Sequence, residues 1–131
     1  MENEAMEREA LDTFGRFLME QVRDRAIILS DKTMTGEMKG DYTKSLHEMF
    51  ATFNPKQWDA AQKLIPIAVD WTIYSLLCMF DQQQEFAIVA YTRDGIVPSL
   101  SEASDALPSE LYLEDGWIAR FSKQRHEPIE E

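Results

Sequence analysis

The sequence predicts a mostly α (α+β) domain: three main helices around a central kinked apolar helix, with a small antiparallel β element in the C-terminal third. Three observations carry that prediction. Apolar residues recur at three- and four-residue spacing through most of the chain up to Phe80, the signature of amphipathic helices. The run from Leu64 to Phe80 is apolar on nearly every face and carries one charge, Asp70, and a helix without a polar face calls for burial. After Gln84 the texture changes to β-branched and aromatic residues bounded by turn formers, which is strand-like.

The first helix is read from about Glu4 to Leu29, with Met6, Ala10, Leu11, Phe14, Leu18, Val22, Ala26 and Leu29 forming its stripe. Arg25 falls beside that stripe, an unusual place for a charge. Ser30 to Gly40, holding Thr33, Thr35 and two glycines, reads as a loop. Asp41 then caps a second helix whose Tyr42, Leu46, Met49, Phe50 and Phe53 face the core. The third helix has the clearest start: Asn54 as N-cap, Pro55 at the first position and Gln57 able to reach back, with Phe53 and Trp58 placed for a hydrophobic staple. Pro66 removes its own amide donor and crowds the carbonyl of Gln62, so the helix from Pro55 to about Asp81 is kinked, with a split near Leu64–Ile65 as the alternative.

Glu85 to Thr92 reads as a strand, Asp94-Gly95 as a tight turn and Ile96-Val97 as the returning strand, ended by Pro98. A lone hairpin is marginal. Trp117 to Ser122 supplies a third strand, or else a short helix from Trp117 to Arg125. Ser99 to Leu113 is an irregular connection pinned by Leu100, Leu107, Leu111 and Leu113. One compact domain spans 1–122, and 123–131 is a flexible acidic tail with little to bury.

The composition narrows the partners. Acidic residues outnumber basic ones 24 to 13, a formal net charge of −11, so the average surface repels nucleic acid and anionic lipid. Residues 1–12 hold five acids against Arg8, and 101–115 holds Glu102, Asp105, Glu110, Glu114 and Asp115 with no base. The Leu64–Phe80 run, about 17 residues, is at the short limit for crossing a bilayer, and a mid-span carboxylate costs about 3 kcal/mol in hydrocarbon; a core helix, not a membrane span, is expected. The single Cys78 cannot form an internal bridge, and the N-terminus lacks a basic and apolar leader. A cytoplasmic protein is expected.

Several residues are candidates for chemistry. Asp70 lies in an apolar run, where an unpartnered carboxylate would cost several kcal/mol; an ion pair with Arg25, or with Arg23, is the economical answer, and a catalytic carboxylate the sharper one. His47 and His126 lack ligand spacing, and Cys78 has no partner cysteine, so neither a metal nor a cofactor is expected. No glycine-rich phosphate loop or nucleophile elbow occurs. The acidic connection ending in Gly116-Trp117 is the best recognition surface, with Glu110, Glu114, Asp115 and Trp117 as the residues that engage a basic protein. Phe17, Met19 and Ile73 exceed what one core holds and suggest a homodimer through helix 1.

Two readings of function follow. One is a small acidic cytoplasmic protein-binding module, immunity-like or antitoxin-like, for a basic partner. The other is a small-molecule binder or enzyme with a cleft lined by Asp70, Arg25 and Tyr74.

Overall fold

A computed structural model of the protein describes residues 2–126. The chain runs through α1 (Glu2–Phe17), a π-helical segment (Leu18–Arg23), α2 (Asp24–Thr35), α3 (Asp41–Phe50), α4 (Pro55–Gln82), β1 (Ala90–Thr92), β2 (Gly95–Val97), α5 (Leu100–Ala103), a 3-10 turn (Leu107–Leu111) and α6 (Trp117–Phe121). The predicted class is realised, with one long apolar helix and a two-stranded antiparallel sheet in the C-terminal part.

From Glu2 to Thr35 the backbone is helical without a break, but its buried face drifts. Leu11, Gly15, Met19, Arg23 and Ile27 are buried at four-residue intervals, whereas an α-helix returns to the same face every 3.6 residues. The wide turn absorbs the excess: the Asp24 amide donates to the carbonyl of Met19, five residues back. The expected stripe through Val22 and Leu29 therefore fails in its second half. Both are exposed, while Met19, off that stripe, is fully buried.

The helix also runs through the first half of the predicted 30–40 loop. The hydroxyls of Ser30 and Thr33 donate to the carbonyls of Ala26 and Leu29 (2.8 and 2.9 Å), which keeps these loop-favouring residues satisfied inside a helix. The end comes at Gly36, whose φ of +84° suits a residue without Cβ. Helix α3 packs on α2, and His47 donates from Nδ1 to the Met34 carbonyl (2.8 Å). None of its residues is buried. Tyr42 and Met49, expected in the core, face solvent.

Helix α4 begins as predicted, with the Gln57 amide donating to Asn54 Oδ1 (2.8 Å) and the Asn54 amide to Gln57 Oε1 (2.9 Å). It is continuous across Pro66, so the split is not realised. The Gln62 carbonyl, left without its helical donor by Pro66, accepts instead from Arg125 Nη2 at 2.9 Å.

All-round burial of the apolar run is not observed. Pro66, Asp70, Ile73 and Leu77 are buried along one stripe, while Trp71 is 65 % exposed and Leu64, Leu76 and Met79 also reach solvent. Of the most apolar 18-residue window, 22 % is buried, and by length and composition alone the helix could cross a membrane. The reason is geometric. A 28-residue helix is about 42 Å long, longer than a small domain is wide, and the remaining elements cover one side of it.

The core lies between α1, the second half of α4 and the C-terminal elements. Leu11, Leu18 and Met19 meet Ile73 and Leu77, and Val97, Leu100, Leu107, Leu111, Trp117 and Ile118 close the other side. The sheet is shorter than predicted, with Thr92 opposite Gly95. The turn is thus Arg93-Asp94, one residue before the expected Asp94-Gly95. The third strand is replaced by α6, the competing helical reading in a shorter form. Buried Trp117 and Ile118 with half-buried Phe121 recur at helical spacing, and Trp117 meets Phe14 edge-to-face at 5.8 Å.

Candidate functional site

The widened turn brings Arg23 and Asp24 inward together, and a buried polar network forms around them. Arg23 is 0 % exposed. Its Nε donates to Asp70 Oδ1 (2.6 Å) and its Nη2 to Asp70 Oδ2 (3.1 Å), a two-point grip on both carboxylate oxygens. Nη1 donates to Ser122 Oγ (2.6 Å), and Nη2 also donates to the Arg125 carbonyl (3.0 Å). Ser122 in turn donates to Asp24 Oδ1 (2.5 Å), and the Lys123 amide donates to Asp24 Oδ2 (2.9 Å). Two buried carboxylates thus share one guanidinium, and a hydroxyl with a backbone amide completes the solvation of the second.

Asp70 is therefore paired with an arginine of the first helix, but with Arg23. Arg25, the partner expected first, is exposed, because the π segment rotates everything after it by most of a residue. Arg23, Asp24 and Ser122 were not distinguishable in the sequence as members of one cluster. The only trace was the four-residue interval from Leu11 to Ile27.

This network holds the C-terminal segment in place. Arg125 forms a two-point pair with Asp31 (2.8 and 2.9 Å). The boundary drawn at 122, with a flexible tail after it, cuts through these bonds; residues 123–125 are fastened. Exposed His126 follows them, and 127–131 of that proposed tail lie outside the described residues. Beside the network, the Tyr112 ring lies 5.8 Å from that of Tyr74. Burial, reinforced by the negative charge of Asp70, pushes the Tyr112 phenol up to about 12, against the opposing charge of Arg23.

Chemically the network is closed. Both oxygens of Asp70 are engaged and every nitrogen of Arg23 donates, so neither is presented to a substrate. Among the described residues, no group of three or more His, Cys, Asp or Glu converges on a point. An open groove of about 540 Å³ lies elsewhere, lined by Phe50, Phe53, Trp58 and Gln62 among others, and it includes neither Asp70, Arg25 nor Tyr74.

The four residues assigned to partner recognition divide into two pairs. Glu114 and Asp115 are exposed, as expected. Glu110 is buried and bound by Arg8, and Trp117 is 0 % exposed in the core, so its ring is not offered to a partner. Arg8 also contacts Asp12 (3.3 Å), which Arg120 holds at 2.7 Å. Burial alone would raise the Asp12 carboxyl, but the Arg120 hydrogen bond and the charges of both arginines outweigh it and hold the group below the usual carboxylate range. Met19 and Ile73, expected at a helix 1 dimer contact, are in the core, and Phe17 alone of that set is exposed.

No family model, curated protein or solved structure matches this chain.

Proposed function

We propose that the protein is a small cytoplasmic protein-binding module that engages a basic protein through the acidic surface of the 101–115 connection. One observation supports it above the rest. Glu102, Asp105, Glu114 and Asp115 are exposed on a connection with no base, and that connection is anchored by the buried Leu107 and Leu111 and by the Arg8–Glu110 pair. A charged surface on a rigid support steers encounter and loses little entropy on binding. Trp117 is not available as an apolar anchor; exposed apolar side chains are found instead on the hairpin, where the cross-strand partners Tyr91 and Ile96 both face solvent. An immunity-like or antitoxin-like role, neutralising a basic partner, is the form of this reading that the charge favours.

The test is affinity capture with the wild-type chain and with Glu114→Lys/Asp115→Lys, each at low and moderate salt. Glu110 is left intact, since a lysine there would face Arg8 and disturb the fold. A basic protein retained by the wild type, released by salt and lost from the variant supports the reading. Equal recovery of the same partners on both baits rejects it.

A further inference from the structure

The outward face of α4 bears a pattern that the acidic-surface reading does not use. Opposite the buried stripe lie Ala61, Leu64, Ala68, Trp71, Ser75 and Met79, of which all but the half-buried Ala61 are exposed. From Leu64 to Phe80 the only charge is Asp70, and it is turned inward onto Arg23. A molecule of net charge −11 therefore carries one long face with no charge on it.

We infer that this face is the contact surface for a second copy of the chain, packed antiparallel about a two-fold axis near residues 69–70. The order of large and small residues argues for that occupant. Turning the helix end for end about this point sets Ala68 opposite Trp71 of the second copy, Leu64 opposite Ser75, and Met79 opposite Ala60 and beside Ala61. Each large side chain then faces a small one, which is how helices interdigitate closely, and a two-fold contact requires a surface complementary to itself.

Charge argues the same way. Two copies repel through most of their surface, and this face is where they meet without opposing like charges. A basic partner would find no acid on it, and an anionic bilayer would repel the rest of the molecule. Spanning a bilayer would also strip Asp70 from Arg23. The first helix offers a poorer contact, because its exposed Phe17, Val22, Ile28 and Leu29 are interleaved with Arg16, Glu20, Arg25 and Lys32.

The contact is modest in size. The face from Ala61 to Met79, about 27 Å long and about 10 Å across, gives a projected footprint of about 270 Å², well below the roughly 800 Å² per partner of a standard interface. A micromolar, concentration-dependent dimer is expected.

Sedimentation equilibrium of the full chain from about 1 μM to 1 mM tests this, with Trp71→Glu as the disrupting variant and far-UV circular dichroism confirming that it folds. The expected result is a rise from one chain to two in the wild type and at least a tenfold weaker association in the variant. Orientation is read from disulfide formation in a Cys78→Ser background. Leu64→Cys/Ser75→Cys gives a covalent dimer, while Leu64→Cys alone does not, since its two copies lie about 16 Å apart along the axis, beyond disulfide reach. A wild type that stays a single chain at 1 mM overturns the inference. So does a dimer indifferent to Trp71→Glu, a cross-link through Leu64→Cys alone, or Trp71-dependent binding to neutral phosphatidylcholine vesicles in place of self-association.

Discussion

Trp117 lies against the backbone of Gly15, so close that a Cβ on Gly15 would sit 2.3 Å from the indole Cε2. Helix propensity alone favours alanine there by about 1 kcal/mol. The contact decides the opposite sign, because overpacking a tight site costs about 1–3 kcal/mol and both the helix backbone and a fully buried ring resist movement. Gly15→Ala is expected to lower the denaturant midpoint with the slope unchanged. In the Trp117→Phe background the same substitution is expected to cost less, giving a non-additive double-mutant cycle.

The partner of Asp70 can be read from stability. Removing one member of a buried ion pair costs about 3–5 kcal/mol, because the other charge is left uncompensated. Arg23→Met and Asp70→Leu are each expected to fall in that range or to prevent folding, and Arg23→Met/Asp70→Leu to cost much less than their sum. Arg25→Ala, at an exposed position, is expected to stay within about 0.5 kcal/mol of wild type. Equal losses from Arg23→Met and Arg25→Ala in urea titrations would contradict the network as described.

These two sites mark where the sequence could and could not be read. Local signals survived: the Asn54–Gln57 cap, the unbroken amphipathic start of α1 and the hairpin all follow from residues within a turn of one another. The need for a cation at Asp70 was legible too, because an unpaired buried carboxylate is costly wherever it lies. Which arginine answered it was not, since the assignment depends on a turn with five-residue hydrogen bonding that no residue between Leu18 and Arg23 announces. Trp117 was misplaced for a related reason. Its neighbours Glu114 and Asp115 are surface residues, but a single turn separates them from a ring that fills the space left by Gly15, and that vacancy is a tertiary fact. The exposure of α4 was hidden by composition, which records that a helix is apolar and not whether the rest of the chain is large enough to cover it.

Pro66 and Arg125 are coupled through the Gln62 carbonyl. Arg125→Ala is expected to destabilise the protein both by freeing that carbonyl and by breaking the pair with Asp31. Pro66→Ala restores the helical donor, so the carbonyl no longer depends on the arginine. The cost of Arg125→Ala is therefore expected to shrink in the Pro66→Ala background by about 1 kcal/mol, the usual worth of one such bond. Additive losses in thermal or urea unfolding would show that the carbonyl contact carries no stability.

The Tyr112 phenol gives the protein an alkaline limit. Its folded value of about 12 lies above the roughly 10 of an exposed tyrosine, so between those two values the native state holds a proton that the unfolded chain has released. Stability contributed by this group is then complete below about pH 10 and declines as pH rises towards 12, since the unfolded state binds fewer protons over that window. In a 295 nm absorbance titration the Tyr112 phenol is expected to give a late ionisation step near pH 12. Tyr112→Phe is expected to remove that late step and to flatten the loss of stability between pH 10 and 12. A late ionisation step that persists unchanged in Tyr112→Phe would assign it to another residue and leave the alkaline limit without this cause.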